Sequence, residues 1–171
     1  MKKPLIFLLF SVFAALSTGF AQEVELLEGP RFAASLEQAI DGAQSSVRLA
    51  TYVFRLSPRG ETGRLAKALA QAAKRGVEVE LYLETTGLKD SLERGNRQVA
   101  KWLKRNQVKV YFDTPNQRSH AKAAVIDHKF CFVGSHNLTE SALKHNYELT
   151  LRVDSPALAQ KLEQSFTAHF K

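Results

Sequence analysis

The sequence predicts an α/β fold, a layered α/β/α sandwich around a mixed, largely parallel sheet. Short apolar runs that are typical of strands alternate along the chain with longer stretches in which apolar residues recur at helical spacing. One such unit is plain: a helical pattern ends at Gly76, and the alternating run 77–84 follows it directly. Strands separated by helices indicate a domain in which helices cover a sheet. The 171 residues are enough for one such domain with a sizeable core.

The first strand and the first helix are expected before residue 45. The residues at 24–27 favour a short strand that ends at Gly29-Pro30. Ser35-Leu36-Glu37-Gln38 forms a capping-box pattern, so a short helix is expected to begin there. The apolar run 46–54 then predicts a largely buried strand, which a loop containing proline and glycine ends.

Two amphipathic helices flank the strand at 77–84. The first has apolar residues at helical spacing over 65–73 and ends at Gly76. The second follows Asp90, and it leads into a strand at 108–112. The order helix, strand, helix, strand supports the layered arrangement.

The last third of the chain predicts, in order, strand 121–126, strand 130–133, helix 138–144, strand 147–153 and a final helix after Ser155-Pro156. The three polar residues Asp127-His128-Lys129 form the turn between the first two of these strands. A serine followed by proline is typical of a helix start, because serine caps the helix and proline suits its first turn.

The first 21 residues have the features of an export signal. A positively charged start precedes the apolar segment 5–16, and small residues lead to Ala21. We therefore expect residues 1–21 to be a signal peptide and 22–171 to be a single domain that is periplasmic or secreted. An uncleaved anchor is the alternative, although the apolar segment is too short for a comfortable membrane span.

The charge of the chain favours anionic partners. Net charge is +7, and removal of Lys2 and Lys3 with the signal leaves 22 basic against 17 acidic residues, or +5. Such an excess attracts polyanions, through phosphate contacts and counterion release. The single cysteine, Cys131, excludes a disulfide within the chain and is expected to be an inert core thiol.

The candidate site is concentrated around the predicted strand 121–126. Side chains alternate along a strand, so His120 and Lys122 should project to the same side. Asp127 has the opposite parity, which argues against a place in the same pocket. An imidazole beside an ammonium needs an anionic partner to offset the charge.

A small polar turn follows the next strand. Gly134 allows the backbone to turn sharply, and Ser135 and Asn137 offer a hydroxyl and an amide at the strand end. Asn137 could also be the N-cap of the following helix. Cations and small polar donors together suit an oxyanion with dispersed charge, such as phosphate.

The spacing His-x-Lys-x4-Asp-x6-Gly-Ser-x-Asn resembles the signature of the phospholipase D superfamily. The matching residues are His120, Lys122, Asp127, Gly134, Ser135 and Asn137. The stretches SVRLATYVF, ALAQAAKRGVEVELYLE and NYELTLRV are similar to those of the small bacterial periplasmic endonucleases of that superfamily, which carry one such motif per chain.

The resemblance implies a metal-independent phosphodiesterase that cleaves DNA, with RNA left open. His120 would attack phosphorus and form a phosphohistidine, while Lys122, Ser135 and Asn137 hold the non-bridging oxygens. Glu148 lies in a stretch like that whose glutamate hydrogen-bonds the catalytic histidine in those endonucleases. Asp127 is a motif residue and a catalytic candidate, although its parity favours a structural role.

The presence of a single motif in the chain indicates that it works with a second copy of itself. The implied mechanism needs a second histidine to protonate the leaving oxygen, and one chain supplies one motif, so we expect a homodimer with a shared site. Nucleic acid is the expected substrate, and no cofactor or metal is expected, because no cluster has metal-ligand spacing. No stable membrane partner is expected if the signal is cleaved.

Basic and aromatic residues near the site are candidates for substrate contact. The loop arginines are better candidates for the nucleic-acid backbone than a basic helix face, which is more simply a solvated surface; they are Arg55, Arg59, Arg64 and Arg118. Tyr52 or Phe54 could offer a stacking surface.

Two other functions stay open at this stage. The first is a phospholipase or cardiolipin-type hydrolase, tethered by an uncleaved N-terminal segment. The second is a protein that binds nucleic acid without cutting it, and the intact motif argues against this one.

Overall fold

A computed structural model describes residues 23–114 and 116–171, so the expected signal peptide lies outside the described residues. Seven strands of this part form one sheet in the order β1-β7-β6-β5-β2-β3-β4. In chain order the elements are β1 (Val24–Glu28), α1 (Pro30–Gly42), β2 (Ser46–Thr51), α2 (Glu61–Lys74), β3 (Glu78–Leu83), α3 (Ser91–Lys104), β4 (Lys109–Phe112), β5 (Lys122–Ile126), β6 (Phe130–Gly134), α4 (Glu140–Lys144), β7 (Leu149–Asp154) and α5 (Pro156–Phe170).

The expected α/β class with a mixed sheet is confirmed, but the proportion of parallel strands differs from the prediction. Only β2–β3 and β3–β4 pair in parallel, whereas β1–β7, β7–β6, β6–β5 and β5–β2 pair antiparallel. Part of the reason is loop length. The turn 127–129 joins β5 to β6 with three residues, and a parallel pair needs a crossover of a dozen or more.

Helices cover both faces of the sheet, as a layered sandwich requires. The larger core lies under α1 to α4, where Leu36, Leu69 and Leu103 pack against the sheet and are fully buried. On the other face α5 covers the centre of the sheet, with Phe166 beside Tyr82. This second layer is narrow because one helix is its only cover among the described residues.

Local chemistry sets the helix starts. Helix α1 begins at Pro30, five residues before the capping-box pattern, because Gly29 takes a positive φ of 49° and Pro30 suits the first turn. The start of α5 is as predicted, since Ser155 accepts a hydrogen bond from the Leu158 backbone N–H. No helix of the described residues is both long enough and apolar enough to cross a membrane.

Candidate active site

His120 and Lys122 lie together at the start of β5, as the alternation of strand side chains predicts. Lys122 is the first residue of the strand, and its Nζ lies 2.8 Å from His120 Nδ1. The same ammonium donates to the His120 backbone oxygen at 2.8 Å. The loop before them is held by the Ser119 backbone N–H, which donates to Asp113 Oδ2 at 2.6 Å. The pair is therefore in a defined position.

The charge state of this pair suits nucleophilic attack. Partial burial lowers the pKa of His120 below its usual value, and the charges of Lys122 and Arg118 act in the same direction. Burial also lowers the pKa of Lys122, with the Glu148 carboxylate opposing that shift. At neutral pH the imidazole is uncharged and keeps a lone pair, because its pKa lies below the surrounding pH.

Tyr52 provides the aromatic surface at the site. Its ring centroid lies 4.3 Å from that of His120, with an angle of 49° between the rings. Arg118 Nη2 donates to the Tyr52 hydroxyl at 3.2 Å. Of the two aromatic candidates, Phe54 is fully buried and has no surface to offer. Tyr52 thus bridges the histidine and an arginine.

Ser135 and Glu148 form a second polar group at the start of β7. The Ser135 hydroxyl donates to the Glu148 carboxylate and accepts from the Leu149 backbone N–H at 3.1 Å. Asn146 Nδ2 donates to Glu148 Oε1 at 3.1 Å. Among the described residues, the hydrogen-bond partners of Glu148 are Ser135 and Asn146 rather than His120. Glu148 therefore orients the serine hydroxyl in this arrangement.

Asn137 does not cap the helix that follows it. The N-cap of α4 is Thr139, whose hydroxyl accepts from the Ala142 backbone N–H at 3.2 Å. The Asn137 side-chain oxygen is buried and has no hydrogen-bond partner within the described residues. That oxygen is an acceptor, so any contact of Asn137 with a phosphate oxygen would come from its side-chain NH₂ group.

Asp127 lies at the far end of β5, about 16 Å from Lys122 at the usual rise per strand residue. Its carboxylate accepts from the backbone N–H groups of Gln44, Ser45 and Ser46 at 2.8–3.1 Å. Burial acts to raise the pKa of Asp127, but these hydrogen bonds outweigh it and the pKa is lowered. Asp127 stays away from His120, as expected, but the reason is position and not strand parity. It lies in the turn beyond Ile126 with a φ of 51°, at the opposite end of β5 from Lys122.

The neighbouring histidine, His136, has a structural environment. It is 2% exposed, its Nδ1 lies 2.8 Å from the Thr150 hydroxyl, and its ring stacks on Phe32 at 4.4 Å. Burial lowers its pKa, so the ring is neutral. In the described ranges no three His, Cys, Asp or Glu side chains are grouped as metal ligands would be. Metal independence of the reaction stays a prediction.

The sequence analysis missed two acidic residues close to this site. Glu84 follows β3 and Asp113 follows β4, and both are buried. Glu84 Oε1 accepts from Arg118 Nε at 2.7 Å. The sequence does show an acidic residue directly after each of two predicted strands. These two residues could be brought together only by knowing that β3 and β4 are neighbours in the sheet.

The fold and the motif geometry define a class of protein. Residues 36–170 match the family described as "Cardiolipin synthase, PLD-like domain", and the chain belongs to that phospholipase D-like family.

Two solved structures and a curated relative are similar to the chain. The phospholipase D family member Nuc from Salmonella typhimurium superposes with a TM-score of 0.73 at 22% identity, over 88% of this chain and 97% of that one. NucT from Helicobacter pylori gives 0.69 at 24% identity, over 88% and 98%. A phospholipase D from Rickettsia prowazekii is 29% identical over 129 residues, which are 75% of this chain and 58% of that protein.

These likenesses establish family and fold. At these identities the two structures support the architecture alone, and the chain spans less than two thirds of the Rickettsia protein.

Proposed function

We propose that this chain is a phosphodiesterase that cleaves nucleic acid through a phosphohistidine intermediate. The observation that carries the proposal is the 2.8 Å contact between Lys122 Nζ and His120 Nδ1 at an exposed strand end. A neutral imidazole supplies the nucleophile, and an ammonium beside it supplies the positive charge that a phosphate requires.

The reaction proceeds in two displacements at phosphorus. A nitrogen of His120 attacks, so that an N–P bond forms while the bond from phosphorus to the leaving oxygen breaks. A second histidine, which the negative charge of the bound phosphate keeps protonated, donates a proton to that oxygen. Water then displaces His120 and loses a proton to the same second histidine, which the first step left neutral. Lys122, Ser135 and Asn137 bind the non-bridging oxygens in both steps.

The character of the surface favours a nucleic-acid substrate. The site is exposed at the end of the central strand β5, and Lys122, Arg118 and Tyr52 are arranged around His120. Cations and an aromatic ring side by side suit a phosphate chain that carries bases. The net positive charge of the chain adds a general attraction to such a polyanion.

A homodimer would supply the second histidine. One chain carries one motif, and closed two-fold dimers are the commonest assemblies of identical subunits. An apolar row is also exposed on the sheet face that α5 leaves open: Leu26, Leu151 and Val133 are paired side by side across β1, β7 and β6. Val133 pairs with Ala123, next to Lys122, so a second copy on this row would lie near the site.

The substrate is tested by incubating the purified chain, from residue 22, with plasmid DNA, RNA and labelled phospholipid, each with and without EDTA. We expect cleavage of nucleic acid that persists in excess EDTA and is absent from a His120→Ala preparation made in the same way. Abolition by EDTA with rescue by one divalent ion would reject the phosphohistidine mechanism.

The shared site is tested with mixed dimers. Equal amounts of the original protein and His120→Ala are unfolded and refolded together, so that about a quarter of the dimers hold two intact His120 residues by random pairing. Activity per intact chain should then fall to about half of the unmixed control on the same pairing argument. Unchanged activity per intact chain would show that each subunit works alone.

The second candidate function is phospholipid hydrolysis. The family description and the Rickettsia relative favour it. Release of a headgroup from the labelled phospholipid, without cleavage of nucleic acid, would select this function. N-terminal sequencing of the exported protein adds a check, since an intact Met1 would indicate the membrane anchor that this function needs, and cleavage after Ala21 a periplasmic or secreted protein.

A further inference from the structure

A buried pair of acids lies beneath the candidate active site. Glu84 is fully buried and Asp113 is 5% exposed. Asp113 is satisfied by the backbone N–H groups of Thr85 and Ser119, both at 2.6 Å. Glu84 Oε2 is buried and faces no hydrogen-bond donor among the described residues. Burial, and then the neighbouring Asp113, raise the pKa of Glu84, so the pair favours holding a proton and a single negative charge.

Arg118 is the counterion of this pair. Its Nε donates to Glu84 Oε1 at 2.7 Å, and its Nη2 donates to the Tyr52 hydroxyl at 3.2 Å. Two contacts therefore fix a guanidinium whose side chain is still 57% exposed. A guanidinium has five N–H donors, and these two contacts leave three of them for a ligand. An arginine that is held in place by two contacts and is still largely exposed is suited to bind an anion.

The position of Arg118 relative to His120 defines which anion it reaches. Tyr52 contacts both residues, with its ring against His120 and its hydroxyl bonded to Arg118. Lys122, by contrast, touches the His120 ring directly. The attacked phosphate must lie at His120 and Lys122. Among the described residues Arg118 is hydrogen-bonded to Glu84 and to the Tyr52 hydroxyl and to neither of those two, so its guanidinium is offset from the attacked phosphate toward the Tyr52 hydroxyl.

We propose that Arg118 binds a phosphate of the substrate chain next to the one that is attacked, and that Glu84 is the positioning residue that holds Arg118 there. This inference rests on the proposed function and deepens it, because it makes a polymer with repeated phosphates the preferred substrate. A substrate with one phosphate would lack the contact.

Two substrates separate this contact from the chemistry. Bis(4-nitrophenyl) phosphate offers one phosphodiester, whereas a single-stranded oligonucleotide offers many. Arg118→Gln should lower kcat/KM for the oligonucleotide about tenfold more than for the small diester, through KM, which corresponds to one charged hydrogen-bonded contact. The slope of log KM against log salt for the oligonucleotide should also decrease by about 0.7, the value for one lost phosphate contact on a single strand.

Arg97 supplies a matched control. It is 56% exposed, pairs with Glu93 at 2.6 Å and lies over Phe112, so it has the same kind of surroundings outside the site. Arg97→Gln should change neither the ratio of kcat/KM for the two substrates nor the slope of log KM against log salt. Glu84→Gln should lower kcat/KM for the oligonucleotide relative to that for the small diester, as Arg118→Gln does, but by less because the guanidinium is still present. Glu84→Asp keeps the carboxylate, so its kcat/KM ratio should lie closer to that of the original protein.

These measurements separate failure of the Arg118 proposal from failure of the proposed nucleic-acid substrate. Equal losses on both substrates in Arg118→Gln would overturn the inference and assign Arg118 to the attacked phosphate. No change on the oligonucleotide would also overturn it. A protein that hydrolyses the small diester but no oligonucleotide would reject the nucleic-acid substrate, and this inference with it.

Discussion

The two ends of β5 carry residues of one sequence motif and have opposite physical characters. At one end Lys122 and His120 contact each other, lie partly exposed, and have no carboxylate hydrogen-bonded to them among the described residues. At the other end the Asp127 carboxylate accepts hydrogen bonds from three consecutive backbone N–H groups and the Ser45 hydroxyl. The Lys122 end therefore still has groups that can bind a ligand, whereas the protein itself supplies the hydrogen-bond partners of the Asp127 carboxylate.

This difference shows how one motif can combine reaction and support. A charged group that keeps open donors at a surface can bind a ligand, whereas one whose partners are all supplied by the backbone stabilises the fold. We therefore expect substitutions at the Lys122 end to affect turnover and those at the Asp127 end to affect stability. Paired substitutions along the same strand test that division.

The largest effect is expected for His120→Ala. Loss of the nucleophile should lower kcat by at least about a thousandfold, with kcat/KM falling equally, because the interaction is made only in the reaction. His128, which lies just beyond the other end of β5 and pairs with Glu163 at 2.9 Å, is the matched control. His128→Ala should keep normal turnover in a steady-state assay. Normal turnover by His120→Ala would reject the whole assignment.

The next effect is expected for Lys122→Met, which retains the methylene stem and removes the charge. We expect kcat to fall by about a hundredfold or more, as for the loss of one donor to an oxyanion. Lys129 lies in the turn after β5 and pairs with Asp154 at 2.9 Å. Lys129→Met should leave kcat unchanged. Equal behaviour of the two variants would mean that the ammonium of Lys122 has no special role.

A milder effect is expected for Glu148→Gln. The amide keeps an acceptor for the Ser135 hydroxyl but loses the charge, so kcat/KM should fall about fivefold, the equivalent of one hydrogen bond. Circular dichroism should show an intact fold. A loss as complete as that of His120→Ala would instead indicate that the carboxylate takes part in proton transfer.

The smallest effect on turnover, together with a large effect on stability, is expected for Asp127→Asn. Kinetics should stay within about twofold, while the free energy of unfolding should fall by about 2 kcal/mol, because hydrogen bonds to a charged acceptor are lost. Asp154→Asn, which breaks an exposed ion pair with Lys129, should cost about 0.5 kcal/mol in the same urea titration.

The stability difference at Asp127 should also depend on pH. The pKa of this carboxylate in the folded protein lies below the usual aspartate value of about 3.8, so its contribution to stability is fully present above that value. As pH falls through the folded pKa the carboxylate is protonated, and the advantage over Asp127→Asn should disappear. A difference that is constant from pH 7 to pH 2 would contradict the assignment of that end to charged hydrogen bonds.

The side-chain geometry of β5 was predictable because a strand has a period of two residues. That rule placed His120 with Lys122, and the structure confirms it. Asp127 is apart from them for another reason, because it lies in the turn beyond the opposite end of the strand. The rule needs no knowledge of neighbouring strands. Residues close in sequence were predicted well for this reason.

Contacts between distant parts of the chain were not predictable in the same way. The link between Glu84 and Arg118 spans 34 residues and depends on the pairing of β3 with β4, which alternation within one strand does not reveal. The excess of antiparallel pairs likewise depends on where β7 enters the sheet between β1 and β6. The possible N-cap at Asn137 lies two residues before the actual cap of α4, Thr139, since both residue types are good caps and tertiary contacts decide between them.

The central claim is that the Lys122 end of β5 performs covalent chemistry at His120. An oligonucleotide with ³²P at one internal phosphodiester is mixed with the protein and quenched in alkaline detergent within the first turnover, where phosphohistidine survives. Because the label is the phosphorus atom itself, it is transferred to the attacking histidine whichever of its two ester bonds breaks. The account predicts label on the peptide that contains His120, none in His120→Ala, and retention in His128→Ala. Cleavage with no labelled protein at any time, or label on another residue, would contradict it.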